Sequence, residues 1–126
     1  MTDKPQKKIY LAKCGLTHKI GVSENPEERI KGMQTGCPEL IELIEVFNSR
    51  TPETTESRLH KCFKELQVRG EWFNQSDKLI NSLRTDIAWY GVDALAESIL
   101  RMGTTAYFMI KTLENRVNSL KDGLKK

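Results

Sequence analysis

Four side chains of this sequence combine types and positions that could do chemistry: Tyr10 in an apolar run, Arg29 one turn into a capped segment, and Glu56 with His60 on a second helical pattern. Glu56 stands three residues before Leu59, on the line that Leu59, Cys62, Phe63 and Leu66 mark as the buried face of their helix. A carboxylate there is either held by the positive end of the helix, worth a few tenths to about 1 kcal/mol, or it binds something. His60 follows one turn later, within reach of Glu56. Arg29 lies one turn before Met33 and beside Ile30, so its guanidinium either pairs with a nearby glutamate or grips a phosphate through two N–H groups. Tyr10 taken alone is a strand packer.

The elements that must position these residues are legible from turn and cap signals. KIYLA, residues 8 to 12, and KIGVS, residues 19 to 23, are short strand-like runs around a turn containing Gly15, which predicts an antiparallel hairpin. In NPEER, Asn25 is an N-cap, Pro26 the first helical residue and Glu28 the capping-box position; a helix is expected from about Pro26 to Gln34, ended by Gly36 and Pro38. ELIELIEVFN, residues 39 to 48, alternates only loosely, but its Ile, Val and Phe content favours a third strand over a helix. Thr51 and Pro52 open the second helix, and VRGEWFN follows as a short strand or turn with Trp72 and Phe73 as core anchors. From Ser76 the pattern is helical, broken at Gly91 and Gly103 into three segments.

These elements predict an α+β fold: a small three-stranded antiparallel sheet flanked by helices over residues 1–80, and a helical C-terminal extension over 81–126 that serves packing, dimerisation or docking. In the extension Ala106, Ile110, Leu113, Val117, Leu120 and Leu124 recur in steps of three and four. That short heptad seam either packs back on the domain or pairs with a second copy in a homodimer.

Composition narrows the function classes. No apolar run approaches the roughly 20 residues that cross a bilayer, and the charged N-terminus lacks a signal peptide's apolar core, so a cytoplasmic protein with no membrane association is expected. Cys14, Cys37 and Cys62 are odd in number and distant in sequence, which argues for reduced, packed thiols rather than a disulfide framework or zinc knuckle. A metal site drawn from Cys14, His18, His60 and Cys62 fits no usual ligand spacing. The net charge of +3 is small, yet Lys4, Lys7, Lys8, Lys13 and Lys19 face only Asp3 over the first nineteen residues. They form either a local basic face for phosphates or a solvated terminus.

The order of the singled-out residues is more specific than any one of them. An IY pair at Ile9 and Tyr10, KIG at 19–21, Arg29, and Glu56 on the second helix resemble the motifs of the GIY-YIG endonuclease superfamily. MQTGCPEL at 33–40, the LH of Leu59 and His60, and GEWF at 70–73 are similar to its phage-associated branch, and the likeness covers about residues 7–80. The resemblance implies hydrolysis of a DNA phosphodiester with one divalent metal, Mg²⁺ or Mn²⁺. It implies Tyr10, Lys19, Arg29 and His60 at the catalytic centre and Glu56 as the metal ligand, with Asn74, after GEWF, as the nearest counterpart of the family's later asparagine. The residue types suit that chemistry. A hard cation takes carboxylate, water and phosphate oxygens, an arginine stabilises charge on non-bridging oxygens, and a phenol can orient or deprotonate water if something lowers its usual pKa of about 10.

Two positions depart from the pattern: Lys8 replaces the first motif's glycine and Lys19 the second motif's tyrosine. Lys19, expected across the hairpin from Tyr10, either favours the phenolate, contacts phosphate, or snorkels from a strand end. Three classes therefore stand: a metal-dependent DNA endonuclease of phage or mobile-element type, a DNA- or protein-binding module on the same fold that no longer cuts, and an interaction protein that dimerises through its last helix.

Overall fold

The computed structural model describes residues 6–124, and side chains as far as residue 121. The hairpin forms as the sequence predicts. β1 (Lys8–Cys14) and β2 (Thr17–Ser23) run antiparallel, with Tyr10 opposite Gly21, Ala12 opposite Lys19 and Lys13 opposite His18. Gly15 makes the turn with φ +59°, a left-handed conformation that a side chain disfavours. Asn25 caps α1 (Pro26–Gln34) by accepting a hydrogen bond from the Glu28 amide at 3.3 Å. β3 (Ile41–Phe47) pairs with β1 on its other side.

A bulge between Leu11 and Ala12 explains why β3 alternates loosely. Ile41 and Leu43 face the α1 side of the sheet, whereas Phe47, of the same parity but beyond the bulged Ile44, faces the opposite side. One irregular residue moves the inward positions of a strand from one parity to the other.

The sheet has five strands rather than the expected three, in the order β3-β1-β2-β5-β4, and every pairing is antiparallel. The two added strands are β4 (Gln67–Arg69) and β5 (Trp72–Asn74), folded about Gly70 at φ +55°. Three-residue strands are too short to display a period, and cross-strand pairing makes them: β5 docks on β2 with Lys19 opposite Trp72 and His18 opposite Phe73. Phe73 then stacks on Phe63 with ring centroids 4.6 Å apart.

α2 (Pro52–Phe63) buries Thr55, Leu59, Cys62 and Phe63 against the sheet face opposite α1. A 3₁₀ turn, Lys64–Leu66, leads out of it. α3 (Asp77–Tyr90), α4 (Val92–Met102) and α5 (Thr104–Leu124) follow, with breaks at Gly91 and Gly103, whose φ values of +84° and +100° end each helix. Asp93 ties α4 to the start of α2: its carboxylate accepts from the Ser49 and Thr55 hydroxyls and from the Arg50 amide.

The principal core runs without interruption from Ile9, Leu11 and Ile20 of the sheet through Leu59 and Phe63 to Ile80, Leu83, Ile99, Tyr107 and Phe108. α5 joins it through Tyr107 and Phe108 and not through the heptad positions: Ala106, Ile110, Leu113, Val117 and Leu120 are exposed, and the side chain of Leu124 lies outside the described residues. No described helix is long and apolar enough to cross a membrane.

A candidate phosphodiester site on strand β2

Of the residues singled out in the sequence, Tyr10, Glu56 and His60 each meet β2 between Ile20 and Val22, and Lys19 stands at the head of that segment, whereas Arg29 and Asn74 do not touch it. Tyr10 comes first. Its ring is 1 % exposed and lies over the bare α-carbon of Gly21, its cross-strand partner. A Cβ built on Gly21 would overlap the phenol tip and stand 2.7 Å from Cε1, closer than packed atoms tolerate. The glycine of the KIG motif is therefore the seat of the tyrosine, a contact between two motifs that sequence reading treats separately.

On the neighbouring residues α2 makes two polar contacts. His60 Nε2 lies 2.8 Å from the Ile20 carbonyl; a carbonyl only accepts, so Nε2 carries the proton and Nδ1 is left to accept or carry a second one. Glu56, half-buried, faces the Val22 backbone amide. Burial pushes its carboxyl above the ordinary value and the charge of Glu71 adds to that, while His60, Lys19 and the Val22 amide pull the other way. The Glu56–His60 proximity expected from their spacing is present.

Lys19 differs from its expected position and role. Its cross-strand partner is Ala12, two pairs along from Tyr10 and so on the same face of the hairpin. Its side chain is 11 % exposed, and its ammonium pairs with Glu71 Oε2 at 3.0 Å, so it is no surface lysine snorkelling into water. Burial raises the Glu71 carboxyl, but the hydrogen bond and charge of Lys19, with the more distant charges of His60 and Arg29, outweigh it and leave Glu71 below its ordinary value. Glu71 is the member of this group that sequence reading missed, although it was in view within GEWF; its signal was a carboxylate next to a turn glycine, paired in space with the lysine of the second motif. Arg29, exposed on α1, contributes to the field at Glu71.

Asn74 is not brought to this group. It stands exposed at the end of β5 opposite Thr17, four residues of β2 from Gly21, which is about 13 Å along a strand. The basic N-terminal face is largely spent on ion pairs. Lys7 binds Glu53 at 2.6 Å, Lys13 binds Asp77 at 2.8 Å and Lys19 binds Glu71, while Lys4 lies outside the described residues.

The pairing of Glu56 with Glu71 bears on a metal. The charge of Glu71 disfavours the ionised form of Glu56, a repulsion that a cation between them would relieve. Among the described residues no group of three or more His, Cys, Asp and Glu side chains surrounds a common point. The described residues therefore offer no all-protein cage for a metal, and a cation there would take most of its oxygens from water and substrate.

No curated protein and no solved structure matches the chain. A family model does, over residues 4–89, which take in the whole sheet, α1, α2 and nearly all of α3. That family is a phage-associated domain of GIY-YIG-like or HNH endonuclease fold type, a nuclease-like or DNA-binding module. The chain, with its candidate site wholly inside the matched span, belongs to the T5orf172 domain family.

Proposed function

We propose that this protein is a metal-dependent DNA endonuclease of GIY-YIG type that hydrolyses a phosphodiester at the β2 site. The observation that carries the reading is the convergence just described: the Lys19–Val22 segment receives Tyr10 from β1, Glu56 and His60 from α2, and Glu71 from the turn before β5. Residues of these types have little reason to gather at one strand for packing alone, since a half-buried carboxylate, Glu56, beside the charge of Glu71 costs stability unless something neutralises it.

In this reading Glu56, with Glu71 beside it, holds Mg²⁺ or Mn²⁺. The cation, when bound, polarises the phosphoryl group and stabilises the leaving oxygen. Arg29, exposed on α1, would clamp the non-bridging oxygens where negative charge grows. The Tyr10 hydroxyl, fixed over Gly21 by a buried ring, would orient the attacking water, and His60, whose Nδ1 is left to accept, would take its proton. Lys19 acts through Glu71 rather than on the phosphate, because its ammonium is already engaged.

The test is nicking of supercoiled plasmid in Mg²⁺ or Mn²⁺ by the parent, beside Glu56→Ala and Tyr10→Phe. Cleavage by the parent alone supports the enzyme. Absence of cleavage at high protein concentration, with DNA binding retained at low salt, replaces it by the second reading, a binding module on a nuclease fold. The observation favouring that alternative is Lys19 itself, which stands in the tyrosine position of the second motif and is tied up by Glu71. Failure to bind any nucleic acid at low salt sinks both.

A further inference from the structure

Away from the β2 site, two cysteines that are 23 residues apart in sequence meet in space. Cys14 Sγ, at the end of β1, lies 3.9 Å from Cys37 Sγ, in the connection between α1 and β3, and both residues are partly exposed. The loop carrying Cys37 is held in place by one side chain: Gln34 donates to the Cys37 carbonyl at 3.2 Å and to the Glu39 carbonyl at 2.8 Å, and accepts from the Ile41 amide at 2.7 Å. The sulfur pair is thus a placed feature, whereas Cys62 is buried in the principal core on the other side of the sheet.

We propose that Cys14 and Cys37 form a redox-closed staple, open as two thiols under reducing conditions and joined as a disulfide by an oxidant of the low-molecular-weight disulfide class, such as oxidised glutathione. Bond formation needs the sulfurs to approach by about 1.9 Å, to the ~2.05 Å of a disulfide. Rotation of two partly exposed side chains and a small shift of the loop supply this. The reaction proceeds in two exchanges. The Cys37 thiolate attacks one sulfur of the oxidant, breaking its S–S bond and releasing one glutathione. The Cys14 thiolate then attacks Cys37 Sγ, forming the protein disulfide and releasing the second glutathione. Two electrons pass from the protein to the oxidant, and the two thiol protons end on the two glutathione thiols. Burial, with Cys37 and Glu39 close by, pushes the Cys14 thiol up, so closure, which needs its thiolate, speeds up with pH. The closed bond would join the segment that follows α1 to β1, the strand of Tyr10.

The experiment treats the full-length native protein with oxidised glutathione at two pH values, about 7 and about 9. It then counts thiols after denaturation and maps the linked peptides by mass spectrometry. The expected result is a fall from three free thiols to one, Cys62, with a 14–37 crosslink that forms about tenfold faster or more at the higher pH. Cys14→Ser should instead stop at a stable glutathione adduct on Cys37, and Cys62→Ala should close as the parent does. Three thiols remaining in the parent, a persistent adduct on the parent, or a crosslink that involves Cys62 or a second molecule overturns the proposal.

Discussion

Replacing Gly21 by alanine tests the contact on which the β2 site is built. Gly21 is buried in the middle of β2, and its φ is not in the left-handed region, so the backbone accepts alanine and the only obstacle is steric. The new Cβ would sit 2.7 Å from Tyr10 Cε1, and relief to an ordinary contact needs a movement of about 0.7 Å or more. A tyrosine at 1 % exposure, packed with Ala12, Ile30 and Ile41, has no empty space to move into. Overpacking of this kind costs about 1–3 kcal/mol, and some of it is returned because alanine lowers the entropy of the unfolded chain by the equivalent of about 0.5 kcal/mol. A net loss of about 1.5 kcal/mol is expected, seen as a lower midpoint in urea with an unchanged slope. The control is the same change beside Tyr10→Ala. That single substitution costs about 3–5 kcal/mol by itself, but it removes the obstacle, so Gly21→Ala should then be neutral or slightly stabilising. A coupling of about 2 kcal/mol in the double-mutant cycle is the signature. If Gly21→Ala costs the same in both backgrounds within about 0.5 kcal/mol, Tyr10 is not seated on Gly21 and the geometry of the site is wrong.

Other substitutions probe the supports of the fold. Gln34→Ala removes three hydrogen bonds that hold the 36–41 loop and should cost about 2 kcal/mol in urea denaturation; a loss under about 0.5 kcal/mol would show that the loop holds itself. His18 gives a pH dependence. It is buried beside Phe73 with Nδ1 unpartnered, and burial depresses its pKa, with Asp77 opposing and Lys13 assisting. A histidine whose folded pKa lies below its unfolded value binds protons more readily when unfolded, so its contribution is intact above about pH 7 and is lost as pH falls through about 6.5. His18→Leu should flatten the decline in stability between about pH 7.5 and 5.5, and an equal decline in parent and variant would remove His18 as its source.

Local signals in the sequence carried much of this architecture because they are read from neighbours. Asn25-Pro26 begins α1, Gly91 and Gly103 end helices, and the Leu59, Cys62, Phe63 stripe faces the core, all as spacing predicts. Long-range pairing escaped. β4 and β5 exist because β2 offers an edge to Trp72 and Phe73, and no three-residue run announces that edge. The β1–β3 bulge is equally silent, since it shows in sequence only as imperfect alternation. At the site, motif order pointed to Tyr10, Glu56 and His60, but the register did not follow from it: Lys19 was expected opposite Tyr10, and the two-residue turn at Gly15 sets Gly21 there instead. Cys14 and Cys37 looked unrelated for the same reason, their contact depending on how the α1–β3 loop returns to β1.

The Lys19–Glu71 pair changes what the lysine in the second motif means. Read along the sequence, a lysine in place of a tyrosine adds a positive charge to a hairpin already rich in lysines. Folded, it is offset by a glutamate from the GEWF segment, and its ammonium is 3.0 Å from that carboxylate and mostly shielded from water. Either residue alone would be costly there: Lys19 without Glu71 would be a largely buried, unpaired cation, and Glu71 without Lys19 a second carboxylate beside Glu56 with less to balance it. Retained together, they are nearly neutral as a pair and leave Glu56 as the carboxylate whose ionised form is disfavoured. A cation bound at Glu56 would reverse that last condition. The departure from the motif and the glutamate of GEWF are therefore one feature of the site, and it is Glu71 that makes the lysine tolerable so close to Tyr10 and Glu56.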